Sequence, residues 1–200
     1  MNGEKQIVEE KNPNEPKRNF LKNFLSFSWE LFKIALIALV IVAPIRYFLF
    51  QPFIVSGESM VPSFKNGDYL IVDEISYRFS EPQRGDVIVF NFPLRPSERF
   101  IKRVIGLPGE TVQVENGDVF ITSGQNTYQL TEKYLPDNLK TIGDVTTTLK
   151  ADEYFVMGDN RQYSYDSRMW GVVPRTNIIG KAFLRIFPVT ALSAISQPTY

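Results

Sequence analysis

The chain has 200 residues, 22 Lys plus Arg against 22 Asp plus Glu, and neither a cysteine nor a histidine. Those two absences exclude thiol nucleophiles, disulfide frameworks, Cys or His zinc sites and any Ser-His-Asp triad, leaving carboxylate chemistry or a hydroxyl served by a lysine. A net charge of zero with no dense Lys/Arg stripe gives no pull toward phosphate backbones, so nucleic acid is not an expected partner.

The first segment, Met1 to Lys22, is rich in Glu, Lys, Asn and Pro and has too few apolar side chains to bury a core. Residues 1–28 are therefore expected to form a disordered arm. Hydrophobicity then concentrates between Trp29 and Phe50, interrupted chiefly by Glu30, Lys33, Pro44 and Arg46, and Ile34 to Ala43 carries no polar residue at all. A helix rising about 1.5 Å per residue needs roughly 20 residues to cross a bilayer, which residues 29–50 supply. A buried core helix would keep a polar face, and this run has none. Arg46 can extend its head group to the lipid surface, while Trp29, Tyr47 and Phe48 suit the interfaces. Lys17, Arg18, Lys22 and Lys33 lie on the N-terminal side of the span, against Lys65 alone in the twenty residues after Phe50. The bias of basic residues toward the cytosol predicts a plasma-membrane protein with its N-terminus inside and the remainder outside. A cleavable signal peptide is the rival reading; the long leading arm and the lack of an A-x-A site closing the apolar run favour an uncleaved anchor.

Residues 51–200 are expected to form one all-β domain of folded antiparallel sheets, or a barrel-like closure of them. Short β-branched or aromatic runs recur at Asp68–Asp73, Asp86–Phe92, Phe100–Ile105, Thr111–Val114, Val119–Ile121, Tyr154–Met157 and Ile178–Phe187, separated by Gly, Pro, Asn and Asp. Asn116-Gly117 predicts a two-residue hairpin, because both positions must accept positive φ. Residues 123–150 are polar and turn-rich and read as a small insertion or subdomain. The run from Ala182 to Ile195 is too polar for a second span, and reads as a closing strand followed by an amphipathic tail resting on membrane or core.

A Ser or Thr nucleophile can be activated by lysine only if the lysine is desolvated enough to be neutral. Strand alternation in Phe100–Ile105 puts Phe100, Lys102 and Val104 on one face and Ile101, Arg103 and Ile105 on the other, so at least one cation shares an apolar face. The plainer alternative is an edge strand protected by a solvent-facing lysine. Ser59 lies nine residues beyond Phe50, a reach of roughly 30 Å at full extension, so it would act near the membrane surface. By itself it is equally an ordinary turn serine. A third cluster, Gly158 to Arg168, follows a buried strand with two acids, two arginines and two serines besides Asn160, a composition that internal ion pairs can make rigid. Its arginines speak against calcium, and no metal site is expected.

Taken in order, S-G-E-S-M-V-P-S, R-G-D-V-I-V-F, I-K-R-V-I-G-L-P-G-E and Y-F-V-M-G-D-N-R-x-x-S-x-D-S-R-x-W-G closely resemble the bacterial type I signal peptidases over roughly Phe48 to Phe187. The resemblance implies a membrane-anchored serine endopeptidase with a Ser/Lys dyad on an all-β fold, needing no cofactor and cutting signal peptides of exported preproteins after an A-x-A site. Ser59 matches the nucleophile and Lys102 the general base; Ser164 matches the serine that orients the lysine. Asp166 and Arg168 match the pair that braces the site, with Asp159, Asn160 and Arg161 in the same loop. The Ser59 backbone N–H would serve the oxyanion, and Phe53, Ile54, Val55 and Met60 would line the substrate pocket. Two positions depart from the usual pattern: Gly57 stands where some members carry a serine oxyanion donor, and Ser63 replaces the usual threonine. A protease dedicated to one secreted protein, and a non-catalytic membrane-tethered β domain, are the alternative readings.

Overall fold

The computed structural model describes residues 15–48, 50–137, 139–195 and 197–198, with side chains described from Lys22 to Val42 and from Gln51 onward. Helix α1 spans Glu15–Phe48, and within it Lys22–Val42 is long and apolar enough to cross a membrane. It starts well before the expected Trp29. Residues 15–28, expected in the disordered arm, are helical, because extending an existing helix costs far less than nucleating one and no glycine interrupts the run after Pro16 in the first turn. Residues 1–14, and the side chains of Arg46, Tyr47 and Phe48, lie outside the described residues.

A second compact unit begins at Arg46. Its strands are β1 (Phe50–Ile54), β2 (Tyr69–Asp73), β3 (Val87–Phe92), β4 (Arg95–Gly106), β5 (Thr111–Glu115), β6 (Asp118–Ser123), β7 (Asn126–Gln129), β8 (Val145–Thr148), β9 (Glu153–Met157), β10 (Val173–Pro174), β11 (Ile178–Phe187) and β12 (Ser193–Ala194). Two four-residue helices, α2 (Ser76–Phe79) and α3 (Ser167–Trp170), interrupt them. All paired strands are antiparallel. The larger sheet has the order β1-β2-β11-β3-β4-β9-β10 with β12 paired to β11; the smaller has the order β7-β6-β5-β8. The larger sheet is folded but open, with β1 and β10 at its two ends.

Asn116 and Gly117 have φ of 53° and 90° and join β5 to β6 in the expected tight turn. Residues 123–150 do not stand apart as a subdomain. They supply β7 and β8, the outer strands of the sheet whose centre is the β5–β6 hairpin, since that hairpin alone would leave both edges unpaired. The C-terminal run folds back as β12 onto β11, and Ile195 packs against the core, so of the two expected resting places the tail takes the core.

Strand β4 decides where the site lies. It pairs with β3 on one side and, at Arg103–Gly106, with β9 on the other, and it touches three apolar clusters: Ile101 with Val87, Val89 and Leu70; Val104 with Ile88, Phe90 and Val156; Ile105 with Val112, Ile121 and Phe155. Both faces of β4 are thus covered from Ile101 to Gly106. Lys102 and Arg103, neighbours on opposite faces, are both buried, 5% and 4% exposed.

Candidate active site

Lys102 stands opposite Ile88 in the β3–β4 register, on the face shared with Phe90 and Phe100. The Phe100 ring centroid is 5.3 Å from Nζ. Burial in these apolar surroundings lowers the lysine pKa from 10.5 to about 8; the carboxylates of Asp166 and Asp159 pull the other way without cancelling it. Lys102 Nζ shares a 2.8 Å hydrogen bond with Ser59 Oγ and donates to Ile101 O at 3.0 Å.

Ser59 belongs to the turn-rich segment between β1 and β2. Gly57 has φ of +92°, which a serine with its Cβ would adopt only under strain, and its N–H donates to Asn66 Oδ1 at 2.9 Å. The backbone conformation therefore accounts for glycine where some members of the resembled family carry a side-chain donor. Two carbonyls beside the serine are held from the loop after β9: Asn160 N–H donates to Ser59 O at 3.0 Å, and Asn160 Nδ2 to Glu58 O at 3.1 Å. The Ser59 N–H makes no hydrogen bond among the described residues.

That loop is held by buried ion pairs. Asp166, wholly buried, receives Arg168 Nε and Nη2 at 2.8 Å each and the Gly158 N–H at 3.0 Å, and it also caps α3. Asp159, equally buried, receives Arg103 Nε at 2.8 Å and Nη2 at 2.6 Å. Arg103 also donates to Gly85 O at 2.9 Å and reaches Ser63 Oγ at 3.4 Å, so the hydroxyl at position 63 is used even without the methyl of threonine. The paired acids lie near enough to Lys102 to act on its charge, yet their own charges are neutralised by the arginines. Asp159→Asn is expected to destabilise the domain by about 3–5 kcal/mol, because it strands the Arg103 guanidinium without its counter-charge. The check is a thermal melt in detergent, with a fall of roughly 10 °C expected.

Two residues behave differently from expectation. Ser164 is buried and beside the site, yet its Oγ has no hydrogen-bond partner among the described residues, Lys102 included. Gly158 reads in the sequence as ordinary turn chemistry, whereas a Cβ there would lie closer than 3.0 Å to both the Ser164 hydroxyl and the Ser59 carbonyl oxygen. Its absent side chain lets the loop after β9 and the Ser59 turn meet. No local sequence signal separates such a glycine from a turn glycine.

A groove of about 500 Å³ adjoins the Ser59–Lys102 pair, walled by Phe53, Phe100, Ile101, Tyr163 and Tyr165. Of the four expected pocket residues, Phe53 alone lines it. Val55 and Met60 are core, at 2% and 1% exposure, because β1 alternation and the following turn point them inward among Phe64, Leu70 and Val72. Ile54, on the opposite face of β1, is exposed. Tyr163 and Tyr165 were not foreseen as walls.

A turn serine bonded to a desolvated lysine beside an open apolar groove, on antiparallel sheets, is the equipment of a serine hydrolase with a lysine base. The family model described as signal peptidase, peptidase S26, matches residues 28–187. Signal peptidase I of Leptolyngbya laminosa is 44% identical over 171 residues, covering 81% of this chain and 81% of the relative. Probable signal peptidase I-1 of Synechocystis is 37% identical over 187 residues, covering 86% and 91%, and signal peptidase I P of Bacillus subtilis subsp. natto is 38% identical over 167 residues, covering 78% and 88%. The chain belongs to the signal peptidase family, peptidase S26, and is a serine endopeptidase of the type I class.

Proposed function

We propose that Ser59 is the nucleophile and Lys102 the general base with which this signal peptidase cuts signal peptides from exported preproteins. The observation that carries the reading is the 2.8 Å bond between Ser59 Oγ and a lysine whose pKa burial has brought down to about 8. In its neutral form Lys102 accepts the hydroxyl proton as Ser59 Oγ attacks the scissile carbonyl carbon. The tetrahedral oxyanion is met by the Ser59 N–H. The Lys102 ammonium then returns its proton to the leaving amine, and the C–N bond breaks to give an acyl-enzyme. Neutral Lys102 next takes a proton from the water that attacks the acyl carbonyl, and returns it to Ser59 Oγ as the ester bond breaks and the new C-terminus leaves. Ser164, buried and with no hydrogen-bond partner for its Oγ among the described residues, supplies an acceptor for the ammonium once its bond to Ser59 is lost. Asp159, Asn160, Asp166 and Arg168 hold the loop against the Ser59 turn.

The groove supports binding of the preprotein as an added strand. Strand β9 pairs with β4 only at Arg103–Gly106, so the side of β4 away from β3 is unpaired along Phe100–Lys102 among the described residues. Small residues at the first and third positions before the cut fit a substrate strand laid so close to Phe53, Phe100 and Tyr165. The basic residues ahead of the apolar span support a cytoplasmic N-terminus with the β domain outside the plasma membrane.

The test is cleavage of several unrelated preproteins carrying A-x-A sites by full-length protein in lipid. Cutting after the final Ala, abolished in a folded Ser59→Ala variant, is expected; activity retained in that variant would remove Ser59 from its role. Cleavage of one preprotein alone would point to a dedicated maturation protease.

A further inference from the structure

Residues between β7 and β8 reach the site from the smaller sheet. Leu130 N–H donates to Val119 O at 2.8 Å and Thr141 N–H to Gly117 O at 3.1 Å, which ties this stretch to the β5–β6 hairpin at two points. From there Glu132 forms a two-pronged pair with Arg161, with Oε2 receiving Nη1 at 2.5 Å and Oε1 receiving Nη2. Arg161 is wholly buried, and its guanidinium also donates to Thr141 Oγ1 at 2.9 Å and Tyr134 OH at 3.1 Å. Its Nε donates to Gly158 O at 3.0 Å. The Tyr134 ring also lies 4.1 Å from the Arg103 guanidinium carbon, and Arg103 in turn pairs with Asp159. Asp159 and Arg161 flank Asn160, the residue whose N–H holds the Ser59 carbonyl; this stretch grips Arg161 directly, while Asp159 is held by Arg103 of β4, against which the Tyr134 ring lies.

We propose that Glu132, assisted by Tyr134 and Thr141, is a positioning residue for the reaction at Ser59. It fixes Arg161, and through Arg161 the Gly158–Asn160 backbone that sets the Ser59 turn against Lys102. The polar stretch after β7 is thereby part of the machinery, acting at a distance from the substrate. This rests on Ser59 being the nucleophile. An ion pair that only stabilised the fold would lower the fraction of folded molecules and leave the turnover of each folded one unchanged. A positioning pair lowers kcat at constant KM, since reacting groups displaced by a fraction of an ångström react slowly while the groove still binds.

The experiment uses full-length protein in lipid, as parent, Glu132→Gln and Glu132→Asp, well below each melting temperature. It reads kcat and KM on an A-x-A preprotein and amide hydrogen exchange over residues 157–168. Glu132→Gln is expected to lower kcat per folded molecule about tenfold or more with KM within about twofold, and to speed exchange in 157–168 without changing β5 and β6. Glu132→Asp, which keeps the charge on a shorter arm, is expected to recover part of the kcat. Unchanged kcat in folded Glu132→Gln, or a rise in KM that accounts for the loss, overturns the proposal. Should Glu132→Gln fail to fold, Tyr134→Phe removes only the hydroxyl that joins Glu132 to Arg161; a kcat drop of about threefold supports the proposal, and unchanged kcat overturns it. Failure of the underlying reading shows separately, as activity surviving in Ser59→Ala.

Discussion

Lys102→Met is expected to give a protein that is inactive and more stable than its parent. Methionine fills nearly the same space among Ile88, Phe90 and Phe100 without an amine to desolvate. The folded-state pKa of Lys102 is about 8 against an ordinary 10.5, so keeping the ammonium in this pocket costs about 3 kcal/mol wherever both folded and unfolded chains are protonated. The sign follows from proton counting. Between pH 8 and 10.5 the unfolded chain binds the proton that the folded one has released, so the parent gains stability as pH rises through that window. Below it the cost is full; above it the cost is gone. The variant lacks the titration, so the difference in melting temperature between variant and parent should be largest at neutral pH and shrink toward pH 10.5. Turnover shows the same group from the other side. At pH 7 about one parent molecule in ten carries a neutral lysine, and the rate should climb to a plateau through an apparent pKa near 8. The variant should lose about a thousandfold or more at every pH. A rate still rising beyond pH 10.5, or a variant less stable than its parent at neutral pH, would contradict the desolvated base.

Gly158→Ala carries the second large effect. The added methyl would press on the Ser164 hydroxyl and on the Ser59 carbonyl oxygen, each closer than 3.0 Å. Ser164 can be trimmed or rotate; the Ser59 carbonyl is main chain, and moving it draws Ser59 Oγ away from Lys102 Nζ and breaks the 3.0 Å bond from Asn160 N–H. A loss of about a hundredfold or more in kcat is expected, with destabilisation of about 1–3 kcal/mol from overpacking. The double variant Gly158→Ala with Ser164→Gly, set beside Ser164→Gly alone, separates the two contacts. It should turn over far more slowly than Ser164→Gly, because the backbone conflict persists, and a rate equal to that of Ser164→Gly would assign the effect to the Ser164 contact alone.

The difference between these two positions shows what a one-dimensional reading can reach. Lys102 and Ser59 stand in long ordered motifs, and strand alternation already required a cation on an apolar face of Phe100–Ile105. That alternation does not say how far β4 is paired on its second side, nor that both faces of its Ile101–Gly106 half are buried, because strand neighbours are set by chain crossings such as β11 inserting between β2 and β3. Gly158 lies within the same ordered motifs, yet nothing local marks it off from a turn glycine, since the backbone atom that excludes a side chain there belongs to Ser59, far away in sequence. Val55 and Met60 were apolar and close to the nucleophile, but apolarity near a site does not distinguish a pocket wall from core.

The apolar anchor segment, the all-β class, the main strands, the Asn116-Gly117 hairpin and the family are all legible in the order of residues, because each is written in local periodicity, turn chemistry or contiguous motifs. That residues 123–150 complete the smaller sheet, and that Glu132 and Tyr134 meet Arg161 and Arg103, emerges only in the folded chain. The same folding leaves Ser164 Oγ with no hydrogen-bond partner among the described residues and walls the groove with Phe53, Tyr163 and Tyr165. Those facts depend on which surfaces the folded sheets bring within a few ångströms of one another, and distances across space have no signature in the order of residues along the chain.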